Sequence, residues 1–162
     1  MKGWKIAYKA FLTDKVATIG ALIIIIAFLV ALFAPWLAPY HPNEVADGSI
    51  RLMPPGTDGH LLGTDQQGRD ILSRIIFGTQ TSLISAVVPV VIAAMISIGL
   101  GIIAGFYQGI VGNIIMRLMD IFFAFPAVLL AIAIAAILGP GLLNVIIAMI
   151  IVRIPYMTRV VY

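Results

Sequence analysis

Two long runs without a charged side chain constrain this sequence more than any other feature. One run extends from Val16 to Tyr40 and the other from Thr81 to Met116. Hydrophobic residues make up 62% of the 162 residues and charged residues 10%, against roughly 45–50% and 25% in soluble domains. A soluble domain of this length could not bury so much apolar surface, so the sequence predicts an integral membrane protein. The runs are continuously apolar rather than alternating, which favours helices over a β-barrel.

The apolar segments predict an all-α polytopic membrane protein with about four transmembrane helices. A hydrocarbon core about 30 Å thick requires about 20 helical residues, so the third and fourth spans are short or tilted. The predicted spans are residues 16–38, 81–106, 121–138 and 142–157. The first apolar run exceeds the roughly 7–15 apolar residues of a secretory signal, so it is predicted to be retained as a span.

The distribution of basic residues predicts which side of the membrane each segment faces, because cytoplasmic segments carry the excess of Lys and Arg. With the N-terminus inside, residues 1–15, 107–120 and 158–162 are cytoplasmic, whereas the loop 39–80 and the turn 139–141 are external. The inner basic residues are then Lys2, Lys5, Lys9, Lys15, Arg117, Arg153 and Arg159, and the outer ones are Arg51, Arg69 and Arg74. The acidic residues Glu44, Asp47, Asp58, Asp65 and Asp70 are all external in this arrangement.

The loop 39–80 has two parts with different local sequence. Proline and glycine residues interrupt its first half, which predicts turns and extended backbone. In its second half, Ile71, Leu72, Ile75 and Ile76 recur at helical spacing. An amphipathic helix is therefore predicted near 69–78, lying on the membrane surface or leading into the second span. Asp70 is well placed to favour the N-terminus of this helix.

Composition and motifs argue against several kinds of site. There are no cysteines, which excludes disulfides and thiolate metal sites. The net charge of +3 is small and the basic residues cluster near span ends, so contact with lipid headgroups is favoured over nucleic-acid binding. The sequence shows no metal-ligand cluster, no nucleophile with a base and no phosphate-binding glycine loop followed by lysine, and His60 stands alone near the acidic residues. We therefore expect no enzyme and no cofactor or metal bound by this chain.

Small residues and prolines within the spans predict how the helices pack. Ser97, Gly101 and Gly105 recur every four residues, so another backbone can approach one face of the second span closely. That backbone belongs either to this chain or to a second subunit. Pro89 and Pro126 lie inside predicted spans and are expected to kink them. Such prolines are common in membrane helices generally, and they also occur beside transport pathways.

Three charged residues lie near the inner ends of the predicted spans. Arg117 and Asp120 share a helix face, and we expect an ion pair between them at the inner interface, with docking of a cytoplasmic partner as the alternative. Arg153 follows eleven uncharged residues from Leu142. It is expected roughly 16 Å beyond the turn, where an arginine either lines a pathway or extends to the interface.

A polar, glycine-rich segment between the first two spans carries a family resemblance. It reads Leu62-Gly63-Thr64-Asp65-Gln66-Gln67-Gly68-Arg69-Asp70-Ile71-Leu72-Ser73-Arg74. The segment closely resembles ABC-transporter permeases of the dipeptide, oligopeptide and nickel group, specifically the second of their two permease subunits. The motif residues are Gly63, Thr64, Asp65, Gly68, Arg69, Asp70, Ser73 and Arg74. Residues 104–107, 116–120, 124–126 and 139–142 fit the same pattern, so the resemblance covers nearly the whole chain.

The resemblance implies a multi-pass subunit of an ATP-driven importer in a prokaryotic cytoplasmic membrane. Its implied partners are a second permease subunit, two cytoplasmic ATPase subunits that bind ATP, and an external solute-binding protein. Family members are usually longer, with further spans and a cytoplasmic Glu-Ala-Ala…Gly coupling helix, so the chain is expected to be a truncated form. Di- and oligopeptides are the implied cargo, with nickel or glutathione-like peptides as alternatives. A standalone four-helix membrane protein without transport activity is the alternative from another class.

Overall fold

The described residues form helices joined by turns and irregular segments. A computed structural model describes residues 13–44, 50–57 and 59–162. The helices are α1 (Lys15–Leu32), α2 (Ala34–Leu37), α3 (Ile71–Phe106), α4 (Ile110–Phe123), α5 (Ala127–Leu138) and α6 (Leu142–Val161). The described residues contain isolated β-bridges but no strand, so the all-α prediction is confirmed. Predictions that concern Lys2, Lys5, Lys9, Asp47 and Asp58 lie outside the described residues.

Three helices in the described part of the chain are long and apolar enough to cross a membrane, namely α1, α3 and α6. Helices α4 and α5 pass the same test only as a pair, and they meet at an angle of 90°. At 1.5 Å per residue, α4 is about 21 Å and α5 about 18 Å long, so neither alone crosses a core about 30 Å thick. The prediction of a polytopic membrane protein is confirmed, with three spans, or four if the bent pair is one span.

The region of the predicted third span differs from the sequence prediction. The sequence predicts a loop at 107–120 and a helix at 121–138, but α4 already begins at Ile110 and ends at Phe123. Only residues 107–109 form a turn, in which Gly109 has a φ of +85°. The chain leaves the helix before Pro126 because proline has no N–H for the helical ladder and disfavours helical backbone in the residue before it. Pro126 therefore separates two helices and does not kink a single one.

The predicted amphipathic helix near 69–78 and the predicted span at 81–106 are one helix. α3 continues for 36 residues, with Pro89 inside it. The side chain of Pro89 is fully buried. Because about 20 helical residues suffice to cross a bilayer, α3 is long enough to continue beyond the hydrocarbon core as a helix.

The chain divides into two compact units, residues 1–83 and 84–162. In the first unit, Nε2 of Gln80 donates a hydrogen bond to the Ala31 carbonyl at 2.8 Å. This carbonyl lies four residues before Pro35, which has no N–H to offer it. The Gln80 side chain thus replaces a missing helical hydrogen bond and joins the end of α1 to α3.

In the second unit, α5 and α6 form a hairpin, and α4 also packs on α6. The hairpin turn is made by Gly139, Pro140 and Gly141, and Gly139 has a φ of +84°. Nδ2 of Asn144 donates to the carbonyls of Leu138 at 2.8 Å and Gly139 at 3.2 Å. These bonds satisfy carbonyl groups that the end of α5 leaves without helical partners.

Candidate functional site

Asp65 organises the polar segment that precedes α3. Its carboxylate accepts backbone N–H bonds from Gln67 at 2.8 Å and from Arg69 at 3.0 Å. The Arg69 guanidinium donates through Nε at 2.9 Å, and Arg74 donates through Nη1. Burial acts to raise the pKa of Asp65, but the N–H groups of Arg69 and Gln67 and the Arg69 guanidinium together lower this pKa to about 2. The carboxylate is therefore charged at neutral pH.

Asp70 is buried, with only 3% of its surface exposed, and its carboxylate caps the start of α3. Oδ2 accepts hydrogen bonds from the N–H and the hydroxyl of Ser73, both at 2.7 Å. This is the bond from the capping side chain to the third helical residue that stabilises helix N-termini. Burial acts to raise the pKa of Asp70, but the bonds from Ser73 and His60 hold it below its usual value. The prediction that Asp70 favours a helix N-terminus is confirmed.

His60 connects this helix start to the chain that follows α2, so the interpretation that it stands alone is wrong. Its Nδ1 lies 2.9 Å from Oδ1 of Asp70, and its ring centre lies 4.7 Å from that of Tyr40. The N–H of Tyr40 donates to Oγ of Ser73 at 3.1 Å. We refer to Tyr40, His60, Asp70 and Ser73 as the polar network. No local sequence pattern predicts this network, because 33 residues separate Tyr40 from Ser73.

Three other motif residues, Gly63, Thr64 and Gly68, determine the backbone conformation of the segment that leads to the polar network. The hydroxyl of Thr64 accepts from the N–H of Met53 at 3.0 Å and donates to the Ile50 carbonyl. Gly63 has a φ of +76°, and a Cβ there would overlap the Met53 carbonyl oxygen. Gly68 has a φ of +77° in the turn closed by its N–H bond to the Asp65 carbonyl at 3.0 Å. At position 63 the backbone needs a positive φ and has no space for a Cβ, and only glycine satisfies both requirements without strain.

The polar network supports a structural role in this geometry. In a nucleophilic triad the hydroxyl bonds to the imidazole. Here the Ser73 hydroxyl and the His60 ring each bond to the Asp70 carboxylate instead. Within the described residues, no three His, Cys, Asp or Glu side chains are grouped to hold a metal ion. The arrangement can fix the polar segment between the first span and α3.

The small residues of α3 contact α6 at two of the three predicted positions. Oγ of Ser97 is buried and donates to the Ile154 carbonyl at 3.1 Å. A Cβ on Gly101 would come within 2.6 Å of the Val161 side chain. A Cβ on Gly105 would have no described neighbour within 4 Å. Among the described residues, the close approach therefore involves Ser97 and Gly101.

Asp120 forms its ion pair with Arg159, and the predicted pairing with Arg117 is wrong. Nη2 of Arg159 donates to Oδ1 of Asp120. The same guanidinium lies 4.7 Å from the centre of the Phe123 ring, a cation–π distance. Arg117 takes part in no ion pair among the described residues. The spacing along α4 places Arg117 on the same helix face as Asp120. The packing of α6 on α4, however, places the Arg159 guanidinium against the Asp120 carboxylate.

Arg153 lines a groove between α6 and the bend that joins α4 to α5. The groove has a volume of about 590 Å³ and includes Phe125 and Ala127, the residues on either side of Pro126. The structure thus places the two residues predicted beside a pathway, Pro126 and Arg153, in the same region. Their roles in transport stay predictions.

Comparison with known proteins identifies relatives along the whole chain. Residues 3–55 match a family model described as the N-terminal TM domain of oligopeptide transport permease C. Over 156 residues the chain is 46% identical to the di/tripeptide transport system permease protein DppC of Pseudomonas aeruginosa, covering 94% of this chain and 52% of that protein. Over 158 residues it is 40% identical to the glutathione transport system permease protein GsiD of Pectobacterium atrosepticum, covering 98% and 52%. Over 140 residues it is 44% identical to the probable D,D-dipeptide transport system permease protein DdpC of Escherichia coli K12, covering 86% and 46%.

These alignments include the polar segment, α3 and most or all of the α4–α6 region. The chain spans about half the length of the curated relatives it matches. The chain thus belongs to the oligopeptide transport permease C family, whose curated relatives are named as permease proteins of peptide transport systems.

Proposed function

We propose that this chain forms membrane-embedded helices of a permease subunit in an ATP-driven importer of di- and oligopeptides. The observation that carries the proposal is 46% identity, over 94% of the chain, to a permease named for di- and tripeptide transport. Other relatives are named for D,D-dipeptides and for glutathione, which is itself a peptide. These names favour peptides over nickel as the cargo.

The proposed assembly contains a second permease subunit, two cytoplasmic ATPase subunits and an external solute-binding protein. The ATPase subunits would bind the ATP, and this chain would contribute helices to the translocation pathway without catalysing a reaction itself. Reorientation of packed helices around a central path is the mechanism by which such permeases would alternate access. Contacts at Ser97 and Gly101 link α3 to α6, two of the helices that would form the bundle.

The proposed orientation places the N-terminus in the cytoplasm and the polar network on the external side. The support is the seven-to-three distribution of basic residues. In this orientation the polar network would present a fixed surface to the second permease subunit or to the solute-binding protein. Its buried hydrogen bonds suit that task, because a preorganised surface loses less conformational entropy on binding.

A chimaera tests the proposal. The part of P. aeruginosa DppC that aligns with this chain is replaced by residues 1–162, and uptake of a labelled dipeptide is measured in cells that lack their own DppC. We expect uptake clearly above the empty-vector level. Absence of uptake, at a membrane abundance equal to that of native DppC, would contradict the proposal and favour a standalone membrane protein.

A parallel chimaera tests the cargo. The aligned part of GsiD is replaced in the same way, and uptake of labelled glutathione is measured. We expect both chimaeras to transport the cargo of their host system, which would mean that this half of the permease accepts several peptides. Dipeptide uptake alone would assign cargo selection to this chain.

A further inference from the structure

The groove beside Arg153 is almost wholly apolar, with a single charge. Its walls include Phe122, Val128, Ala131 and Ile132, and Arg153 is the only charged residue among the described residues that line it. Arg153 is exposed and has no ion-pair or hydrogen-bond partner among the described residues. Asp120, on the nearby α4, is already bonded to Arg159. The groove therefore contains a positive charge that no described residue compensates, at an apolar surface.

Helix α4 indicates where the groove lies in the membrane. Asn113, Arg117 and Asp120 share one exposed face of α4, and Val111 and Phe122 lie on the opposite face. Such an amphipathic helix is typical of the membrane interface, which favours an interfacial α4 over a single span formed by α4 and α5. α4 stands at 90° to α5, and α5 pairs with the membrane-spanning α6. The α4–α5 bend, which forms one wall of the groove, is therefore at the edge of the hydrocarbon region.

Arg153 is positioned to reach that edge. It lies about 16 Å along α6 from the hairpin turn, and Tyr156 and Arg159 follow it towards the end of the helix. Long arginine side chains extend their guanidinium to the interface while the aliphatic part stays in the apolar region. A tyrosine beside it is also typical of the membrane–water interface.

We propose that this groove holds one acyl chain of an anionic phospholipid, whose phosphate pairs with Arg153. The apolar walls match the acyl chain, and a guanidinium binds phosphate oxygens through two parallel N–H bonds. An unpaired arginine at an apolar membrane surface is costly, and a lipid phosphate removes that cost. Basic pockets between membrane helices bind anionic headgroups for this reason.

The lining of the groove fits a lipid better than a peptide. Each buried amide of a peptide needs a hydrogen-bonding partner, because an unsatisfied one is costly. Arg153 and Tyr156 are the only lining residues with a polar side-chain group. An acyl chain has no such requirement, and the bilayer supplies it at high concentration.

Native mass spectrometry of the full chain in detergent tests the lipid proposal. The protein is delipidated and titrated with dioleoyl phosphatidylglycerol or dioleoyl phosphatidylcholine, which have the same acyl chains and differ in net charge. We expect one retained phosphatidylglycerol per chain, with a preference of about fivefold to tenfold over phosphatidylcholine. Equal binding of the two lipids, or no saturable binding, would overturn the proposal.

Three variants test the phosphate contact at Arg153 and the acyl-chain groove separately. Arg153→Gln should remove the preference for phosphatidylglycerol and leave phosphatidylcholine binding unchanged. Ala131→Phe fills the groove and should weaken the binding of both lipids. Arg117→Gln is the control, because Arg117 does not line the groove, and it should keep the wild-type preference.

Several results would contradict the assignment of the groove. A retained preference in Arg153→Gln rules out the phosphate contact, and wild-type binding in Ala131→Phe rules out the groove as the site. Displacement of phosphatidylglycerol by an added dipeptide would assign the groove to solute instead. If Arg153→Gln fails to fold, judged by far-UV circular dichroism, the wild-type comparison of the two lipids and Ala131→Phe still decide the question.

Discussion

Single carboxylates hold the polar segment together at the scale of residues. Asp65 accepts hydrogen bonds from Gln67, Arg69 and Arg74. Asp70 accepts hydrogen bonds from Ser73 and is bonded to the His60 ring. Hydrogen bonds to the charged form lower the pKa of both carboxylates. A charge buried without such donors would destabilise the fold, so each carboxylate and its donors act as a unit.

The depressed pKa of Asp65 predicts a pH dependence of stability. The folded-state pKa is about 2, against 3.8 for an unperturbed group, so the stabilisation is fully present above about pH 4 and is lost as the pH falls towards 2. At neutral pH, Asp65→Asn should lower the free energy of unfolding by about 2 kcal/mol. Thermal unfolding in detergent, compared between wild type and variant, checks this. The difference should shrink between pH 4 and pH 2, and a difference that is constant with pH would contradict the prediction.

Removal of the Ser73 hydroxyl should destabilise the polar network. Ser73→Ala leaves the Tyr40 N–H without its acceptor and deprives Asp70 of one donor. Each buried polar group left unsatisfied costs about 1–3 kcal/mol. Ser82→Ala, at an exposed position of the same helix, is the matched control. A melting temperature in detergent that falls for Ser73→Ala and stays constant for Ser82→Ala is the expected result, and equal values would refute it.

Prolines and small residues decide the packing at the scale of elements. Pro35 removes the donor that the Ala31 carbonyl would otherwise use, and Gln80 of α3 supplies one in its place. Pro126 separates α4 from α5 and allows the 90° turn between them. Ser97 and Gly101 allow α6 to approach α3 closely. At the first of these sites a side chain of α3 bonds to the carbonyl that lacks a helical partner, and at the last α6 packs against the small side chains.

The α3–α6 contact predicts different effects for two neighbouring glycines. Gly101→Ala places a Cβ within 2.6 Å of the Val161 side chain, so the helices must separate, at a cost of about 1–3 kcal/mol. Gly105→Ala meets no described atom within 4 Å and should be neutral or slightly stabilising, because alanine favours helix over glycine. Unfolding in detergent checks both variants. Equal stability of the two would show that the contact at Gly101 is not close.

The placement of charged residues on the two sides of the membrane is a property of the whole molecule. The sequence has no cysteine, so single cysteines can report exposure without background. Gln66→Cys lies in the polar segment and Asn113→Cys on α4, and both positions are exposed. In intact cells, a membrane-impermeant maleimide should label Gln66→Cys strongly and Asn113→Cys only after permeabilisation. The reverse pattern would invert the proposed orientation.

The sequence alone determined the features that depend on composition and local spacing. The uncharged runs indicated membrane helices, since no soluble fold of this size could bury them. The polar motif indicated the family, and the position of Asp70 before a helical apolar pattern indicated its capping role. Each of these signals is contained within about 40 consecutive residues, so no knowledge of the folded chain was needed to read it.

Only the tertiary structure decided which residues meet across longer separations. Arg159 bonds to Asp120 over 39 residues and Ser97 to Ile154 over 57, whereas Arg117, with the right local spacing, does not pair. Gly105 has the same spacing as Ser97 and Gly101, but a Cβ there would meet no described neighbour within 4 Å. Periodicity fixes the face on which a side chain lies, but its partner is set by the way separate helices pack, and that packing is a property of the folded chain.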